Sequence, residues 1–369
     1  MTETAHAAVD MSLPGPAAPR LSWSEPAQGW VRLSMLNSLL RLLTLGVYHF
    51  WGKTETRQRI WQAVRIDGEP LEYRGTGGEL LRGFLIVFAG ILLPVSILGF
   101  VVPLALQAYP KAQGSYNIVV WVFLLMLSGI AMHRARRYRL SRTAFRGIRG
   151  GLSGASTPFA WTYIWTLALV PLTLGWIYPY RALRLHRALT EASCFGDAPF
   201  TFTGKSGALY RRFWVVWVAG VSLLGASIAA VGGLAGLASK PDGLRTLHFG
   251  TWAAIGAVLL IAYFLFGLVY AWYAAGRLNY FASRTHLGGA SFKLTATVPS
   301  FMWLTASNFL MRLFTLGVLS PVAEARSIRY IVERLSIEGP IPWTHIAQNP
   351  DALLKRGEGL AEALNVDAF

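Results

Sequence analysis

The chain has 369 residues, of which 54% are hydrophobic and only 14% charged, with a mean hydropathy of +0.42. A soluble domain carries about 25% charged residues, so a soluble globular protein is excluded and the bilayer is the chain's solvent. The net charge of +16 does not point to nucleic acid, because the basic residues flank apolar runs instead of forming a domain of their own, as cytoplasmic loops do.

Residues 1–20 are rich in Ala and Pro, carry Glu3 and Asp10, and lack the basic and then hydrophobic zones of a signal peptide. They read as a disordered tail. A first unit is expected over 21–138, starting with a short strand at 21–23 and a broken helix near 30–63. The break falls at Thr44-Leu45-Gly46, which returns as Thr173-Leu174-Gly175 and Thr315-Leu316-Gly317, each closing an apolar run ahead of a basic stretch. A second matched element follows each tripeptide, at 67–73, 196–202 and 338–343. One supersecondary unit has been reused. Gly46, Gly175 and Gly317 can take the left-handed conformation that ends a helix, and Pro171 removes a backbone donor just before the second break. Arg41 and Arg312 lie in the otherwise apolar first and third runs. A charge at the bilayer centre costs about 2.5–3.5 kcal/mol on insertion scales, whereas at the interface an arginine snorkels cheaply. Each run is therefore expected to dip into the inner interface, break at its glycine and return as a basic helix.

Within the first unit, Leu43-Thr44-Leu45-Gly46-Val47-Tyr48-His49-Phe50-Trp51-Gly52-Lys53, followed by Arg65-Ile66-Asp67-Gly68-Glu69-Pro70-Leu71-Glu72-Tyr73 and then Gly75-Thr76-Gly77-Gly78, resembles the YjgN-like family of bacterial inner-membrane proteins. The resemblance covers roughly residues 21–344 and implies an inner-membrane location without a known chemistry. The second and third copies lack the aromatic-lysine ending and the Gly-Thr-Gly.

Four uncharged stretches, 84–110, 112–132, 213–239 and 246–276, are long enough as helices to cross the ~30 Å hydrocarbon layer. They form two hairpins, near 84–132 in the first unit and 213–276 in a second unit spanning 139–280. Arg134, Arg136, Arg137, Arg139, Arg142, Arg146 and Arg149 follow the first hairpin without an acidic residue among them, while its tip carries only Lys111. Arg211 and Arg212 precede the second hairpin, Arg277 and Arg284 follow it, and its tip holds Lys240, Arg245 and Asp242. Both hairpins thus enter and leave on the cytoplasmic side, and both termini are cytoplasmic. The uncharged run 150–180 has arginines on both sides; a crossing there would place one cluster outside, which favours a broken, non-spanning pair near 158–190. A third unit, 281–345, stops after its returning helix, and 346–369 form a tail.

The expected fold is an all-α polytopic membrane protein with short cytoplasmic β-strands. Residues 71–75 and 200–204 alternate apolar and polar, with 145–148 and 290–295 as strand partners. Gly75-Thr76-Gly77-Gly78 invites a phosphate-loop reading, but the P-loop lysine is missing, and Thr76 with Glu79 makes a capping box. Three pairs of arginines lie near matching offsets after the tripeptides: Arg57 and Arg59, Arg184 and Arg187, Arg326 and Arg329. They are candidate contacts for anionic lipid headgroups, against the alternative of a solvated face that fixes topology. His49, His133, His186, His248, His286 and His345 are scattered and none completes a zinc motif. No metal or cofactor is therefore expected, and Cys194 stands alone. Gly90, Gly99, Gly220, Gly225, Gly232, Gly233 and Gly236 suggest close helix packing, with Pro94 and Pro103 as kinks. The expected role is a non-enzymatic one, engaging anionic lipid or organising a membrane complex. The rival is a transporter or channel for an unidentified solute, although the spans lack the charged residue of an ion-coupled carrier.

Overall fold

The computed structural model describes residues 18–25, 29–239, 249–341 and 343–348. The tip residues Lys240, Asp242 and Arg245, and most of both expected tails, lie outside the described residues.

Among the described residues, five helical pairs leave a layer of strands and return to it. Strand β1 (Leu21–Trp23) leads into α1 (Trp30–Leu43) and α2 (His49–Ala63), which ends at β2 (Val64–Ile66). Two short strands, β3 (Glu69–Pro70) and β4 (Glu72–Tyr73), precede α3 (Gly77–Val87), a π turn (Phe88–Leu92) and α4 (Leu93–Ala105), then α5 (Pro110–Arg142) and β5 (Thr143–Phe145). Next come β6 (Ile148–Leu152), α6 (Ser156–Leu172), α7 (Tyr178–Ala192) and β7 (Ser193–Phe195). The second long pair, α8 (Gly207–Ala238) and α9 (Phe249–Ser283), stands between β8 (Ala198–Phe202) and β9 (Thr285–Leu287). The chain ends with β10 (Ala290–Leu294), α10 (Val298–Phe314), α11 (Ser320–Val332) and β11 (Leu335–Glu338).

Every pair is closed at its base by an antiparallel ladder. Trp23 pairs with Val64, Tyr73 with Thr143, Leu152 with Ser193, Phe202 with Thr285 and Leu294 with Leu335. The residue entering each pair and the residue leaving it are therefore neighbours, whatever the length of the helices between them. Tight hairpins link consecutive bases: Asp67-Gly68 and Arg146-Gly147 have positive φ at both positions, as two-residue turns matched to strand twist require. Residues 145–148, expected as one strand, instead straddle such a turn, because Arg146 adopts φ +51°.

Among the described residues, four helical segments are long and apolar enough to cross a membrane: Gly77–Ala105, Pro110–Arg142, Gly207–Gly236 and Gly250–Ser283. They outrun the apolar windows of the sequence because the arginine-bearing ends continue as helix. The π turn lies just ahead of Pro94, where the missing backbone donor breaks the regular ladder. The glycine expectation fails in part. A Cβ at Gly220 would meet the Phe266 ring at 3.3 Å, but Gly90, Gly99, Gly225, Gly232, Gly233 and Gly236 face open space. A close backbone approach between helices is found elsewhere, at Gly129 of α5, where a Cβ would lie 2.7 Å from the Ala160 Cα of α6.

The strands form a three-stranded sheet, β1-β2-β3, and an eight-stranded sheet running from β4 to β11 in sequence order. Strand β11 runs beside β1, and Leu21 joins Leu287, Ala290, Ile337, Ile341 and Ile346 in one apolar cluster with Phe195, Phe200 and Phe292. Two aspartates at hairpin turns hold the segments that flank the strands. The Asp67 Oδ1 accepts from the Arg20 N–H and the Asp67 N–H donates to the Arg20 carbonyl. Asp197 exchanges the same two bonds with Ala347. Residues 346–348, expected as tail, are thus packed against the strands.

Candidate functional site: three helix corners and a central cavity

The three Thr-Leu-Gly corners share one set of bonds. Each threonine hydroxyl donates to a carbonyl one turn back: Thr44 to Leu40, Thr173 to Leu169 and Thr315 to Met311, at 2.7–2.8 Å. Each also accepts from the N–H four residues on, at Tyr48, Ile177 and Leu319. The glycine N–H then reaches back to Arg41, Val170 or Arg312, so the orphan carbonyls of the helix end are satisfied locally. The chain bends at two left-handed residues, since the leucines have φ of +47° to +49° ahead of the glycines. A non-glycine residue there costs about 1–2 kcal/mol. Nonetheless Leu45 is 95% exposed, Leu316 93% and Leu174 58%. The sequence points to the glycines, and to Pro171 in the second copy, as the cause of the break and gives no sign of these leucines. Arg41 and Arg312 sit exposed on the last turns of α1 and α10. The two helices of these pairs are clasped by amides: Asn37 donates to the Gly52 carbonyl and Asn308 to the Ala323 carbonyl.

Each candidate headgroup arginine has contacts of its own. Arg57 is buried and bonded to the Tyr73 hydroxyl at 3.2 Å. Arg59 pairs with Glu55, and Arg187 with Glu191 and the Gly204 carbonyl. Arg326 donates to Ser307, and Arg329 pairs with Glu333 and Glu25. Arg184 is exposed and stacks over Tyr180. Thr76 caps α3 by accepting from the Glu79 N–H, but the Glu79 carboxylate turns away to Tyr138 and Arg142, so half of the expected capping box forms. Gly77 is explained by packing: a Cβ would lie 2.8 Å from Trp51.

A different set of groups meets at the centre. A cavity of about 440 Å³ lies where α5, α7, α9 and α11 reach the strands. Its apolar wall includes Phe200, Phe281, Phe292 and Leu294, and its charged residues are Arg136 and Arg277, with no acidic residue in the lining among the described residues. The Arg277 guanidinium donates to the Tyr178 hydroxyl at 3.3 Å and lies over the Tyr270 and Tyr273 rings. Arg136 has no hydrogen bond or ion pair among the described residues, and its Nε is buried. Leaving a buried donor unmet costs about 1–3 kcal/mol, and more when charged. His186 faces the same space, stacked on Phe281 with ring centroids 4.2 Å apart and bonded to Thr190. Burial first, then the Arg136 and Arg277 charges, push its pKa down to about 4, so the imidazole is neutral at physiological pH. Arg277 also borders a second cavity of about 230 Å³ with Arg212, Tyr273, Asn279 and Tyr280.

Comparison with known proteins places the chain. The model of a family described as bacterial proteins of unknown function, DUF898, matches residues 18–363. The chain belongs to that family. The inner membrane protein YjgN of Salmonella typhimurium is 22% identical over 148 residues, 40% of this chain and 34% of that protein, so the match spans about a third of the relative's length. Together these place the chain in a YjgN-like family. No solved structure matches.

Proposed function

We propose that this protein is a multi-pass protein of the bacterial inner membrane with four crossings, whose strand layer and both termini face the cytoplasm and which engages anionic lipid at that face. The single observation that carries the reading is the closed base of every helical pair: a strand ladder joins its two ends, so each pair crosses twice or not at all. The returning helices α2, α7 and α11 carry Lys53, Arg57 and Arg59, Arg181, Arg184 and Arg187, or Arg326 and Arg329. Such helices do not traverse hydrocarbon. Reuse of one unit then gives three re-entrant pairs whose strained, exposed corner leucines enter the inner leaflet, with Arg41 and Arg312 at headgroup depth. The arginine-rich helix ends on the strand side fit the positive-inside rule and an anionic surface.

Cysteine accessibility in oriented vesicles tests the topology. In a Cys194→Ser background, Ala112→Cys is expected to label from outside and Asp197→Cys only from the cytoplasmic side. An outside label at position 197 would overturn four crossings. For the role, purified protein is expected to retain phosphatidylglycerol over phosphatidylcholine without conducting solutes in liposomes; protein-dependent solute flux would support a carrier instead.

A further inference from the structure

We propose that the central cavity is a binding site for a single-chain anionic amphiphile, its carboxylate or phosphate held by Arg136 and Arg277 and its alkyl chain lying on Phe200, Phe281, Phe292 and Leu294. The inference rests on the lipid-engaging reading above and names the occupant of one site.

Three observations carry it. Arg136 and Arg277 both line one cavity whose described lining holds no carboxylate to neutralise them, unlike Arg59, Arg74, Arg142, Arg146 and Arg329, each of which has an acidic partner. Arg136 keeps its buried Nε unmet, and a guanidinium fork matches the oxygens of a carboxylate or phosphate. Around these charges the wall is aromatic and aliphatic, which suits an alkyl chain and not a sugar or a free inorganic anion. The volume of about 440 Å³ lies within the ~300–1,000 Å³ of small-molecule sites. At about 30 Å³ for each water-sized group, it holds a headgroup and about ten chain carbons. His186 stays neutral beside the two cations, stacked on Phe281, and so adds a polar edge without a third charge.

The test uses the full chain in phosphatidylcholine nanodiscs, with binding read by native mass spectrometry and calorimetry. Dodecyl phosphate and dodecanoate are expected to bind saturably at one site, and dodecanol or inorganic phosphate at least about tenfold more weakly. Arg136→Gln and Arg277→Gln are each expected to weaken dodecyl phosphate about tenfold or more, whereas Arg136→Lys keeps much of the affinity because the charge remains. Equal binding of dodecanol, or a double Arg136→Gln, Arg277→Gln variant with unchanged affinity, would overturn the proposal; the wild-type probe comparison decides it even if the variants fail to fold. Competition by phosphatidylglycerol placed in the nanodisc would identify a membrane lipid as the natural source, and its absence a free amphiphile. Retention of phosphatidylglycerol without dodecyl phosphate binding overturns the cavity site alone. Dodecyl phosphate binding without phosphatidylglycerol preference overturns only the broader reading.

Discussion

The arginines at the rim of the strand layer and those at its centre are chemically the same and differently treated. At the rim, Arg146 pairs with Glu69 at 2.7 Å, Arg142 with Glu79 at 2.9 Å and Arg74 with Glu72 at 2.7 Å; the Arg146 bond holds the Glu69 carboxyl below its usual range. At the centre, Arg136 and Arg277 face a neutral histidine and aromatic rings. The Arg146 pair ties the β5–β6 turn to β3 and the Arg142 pair ties α5 to α3, and their removal breaks contacts. Unpaired arginines cost folding energy, and their retention calls for something that the chain itself does not supply.

The largest test of this contrast is acid. His186 has a folded pKa of about 4 against an ordinary value of 6.5, so the unfolded chain binds the extra proton first. Stability is full above about pH 6.5 and is lost as pH falls toward 4, by up to about 3 kcal/mol. The charges facing the ring are Arg136 and Arg277, and both oppose protonation. Thermal unfolding in detergent micelles across that window is expected to show the loss, and His186→Phe to remove it. An unchanged pH profile in the variant would move the acid sensitivity to the rim carboxylates.

Two arginine substitutions should then differ in sign. Arg142→Ala strands the Glu79 carboxylate and a hydrogen-bonded Tyr138 at a half-buried site, a loss of about 2 kcal/mol once solvent screening is allowed for. Arg136→Gln removes a charge with no partner and is expected to be neutral or to stabilise by about 1 kcal/mol. Matched denaturation curves check both. A similar loss at the two positions would mean that the centre is as well compensated as the rim.

Much of the helical scaffold is legible in the sequence. Four uncharged runs far longer than a soluble helix predict the long helices, and a repeated Thr-Leu-Gly predicts three breaks. The closing ladders are not legible, because strands such as β2, β5 and β7 have three residues each and continue directly from a helix. So short a segment has no periodicity to read. The cavity is hidden for a related reason: Arg136, His186, Arg277 and Phe292 come from separate elements, and only the strand layer brings them together. Within the run of arginines from 134 to 149, no local signal tells that Arg136 turns inward while Arg146 finds Glu69.

The smallest expected effect supplies the control for the contrast. Lys293 lies on β10 between Phe292 and Leu294, two residues that line the cavity, but alternation along a strand turns it to the other face. There it meets Glu338 at 3.2 Å, with both side chains more than half exposed. Such a pair contributes about 0–1 kcal/mol, and salt screens it. Lys293→Ala is therefore expected to leave the unfolding midpoint and dodecyl phosphate binding within error of wild type. A clear loss of binding would mean that positive charge anywhere on this layer attracts the amphiphile, and the site would then be an electrostatic surface instead of two guanidinium groups in a cavity.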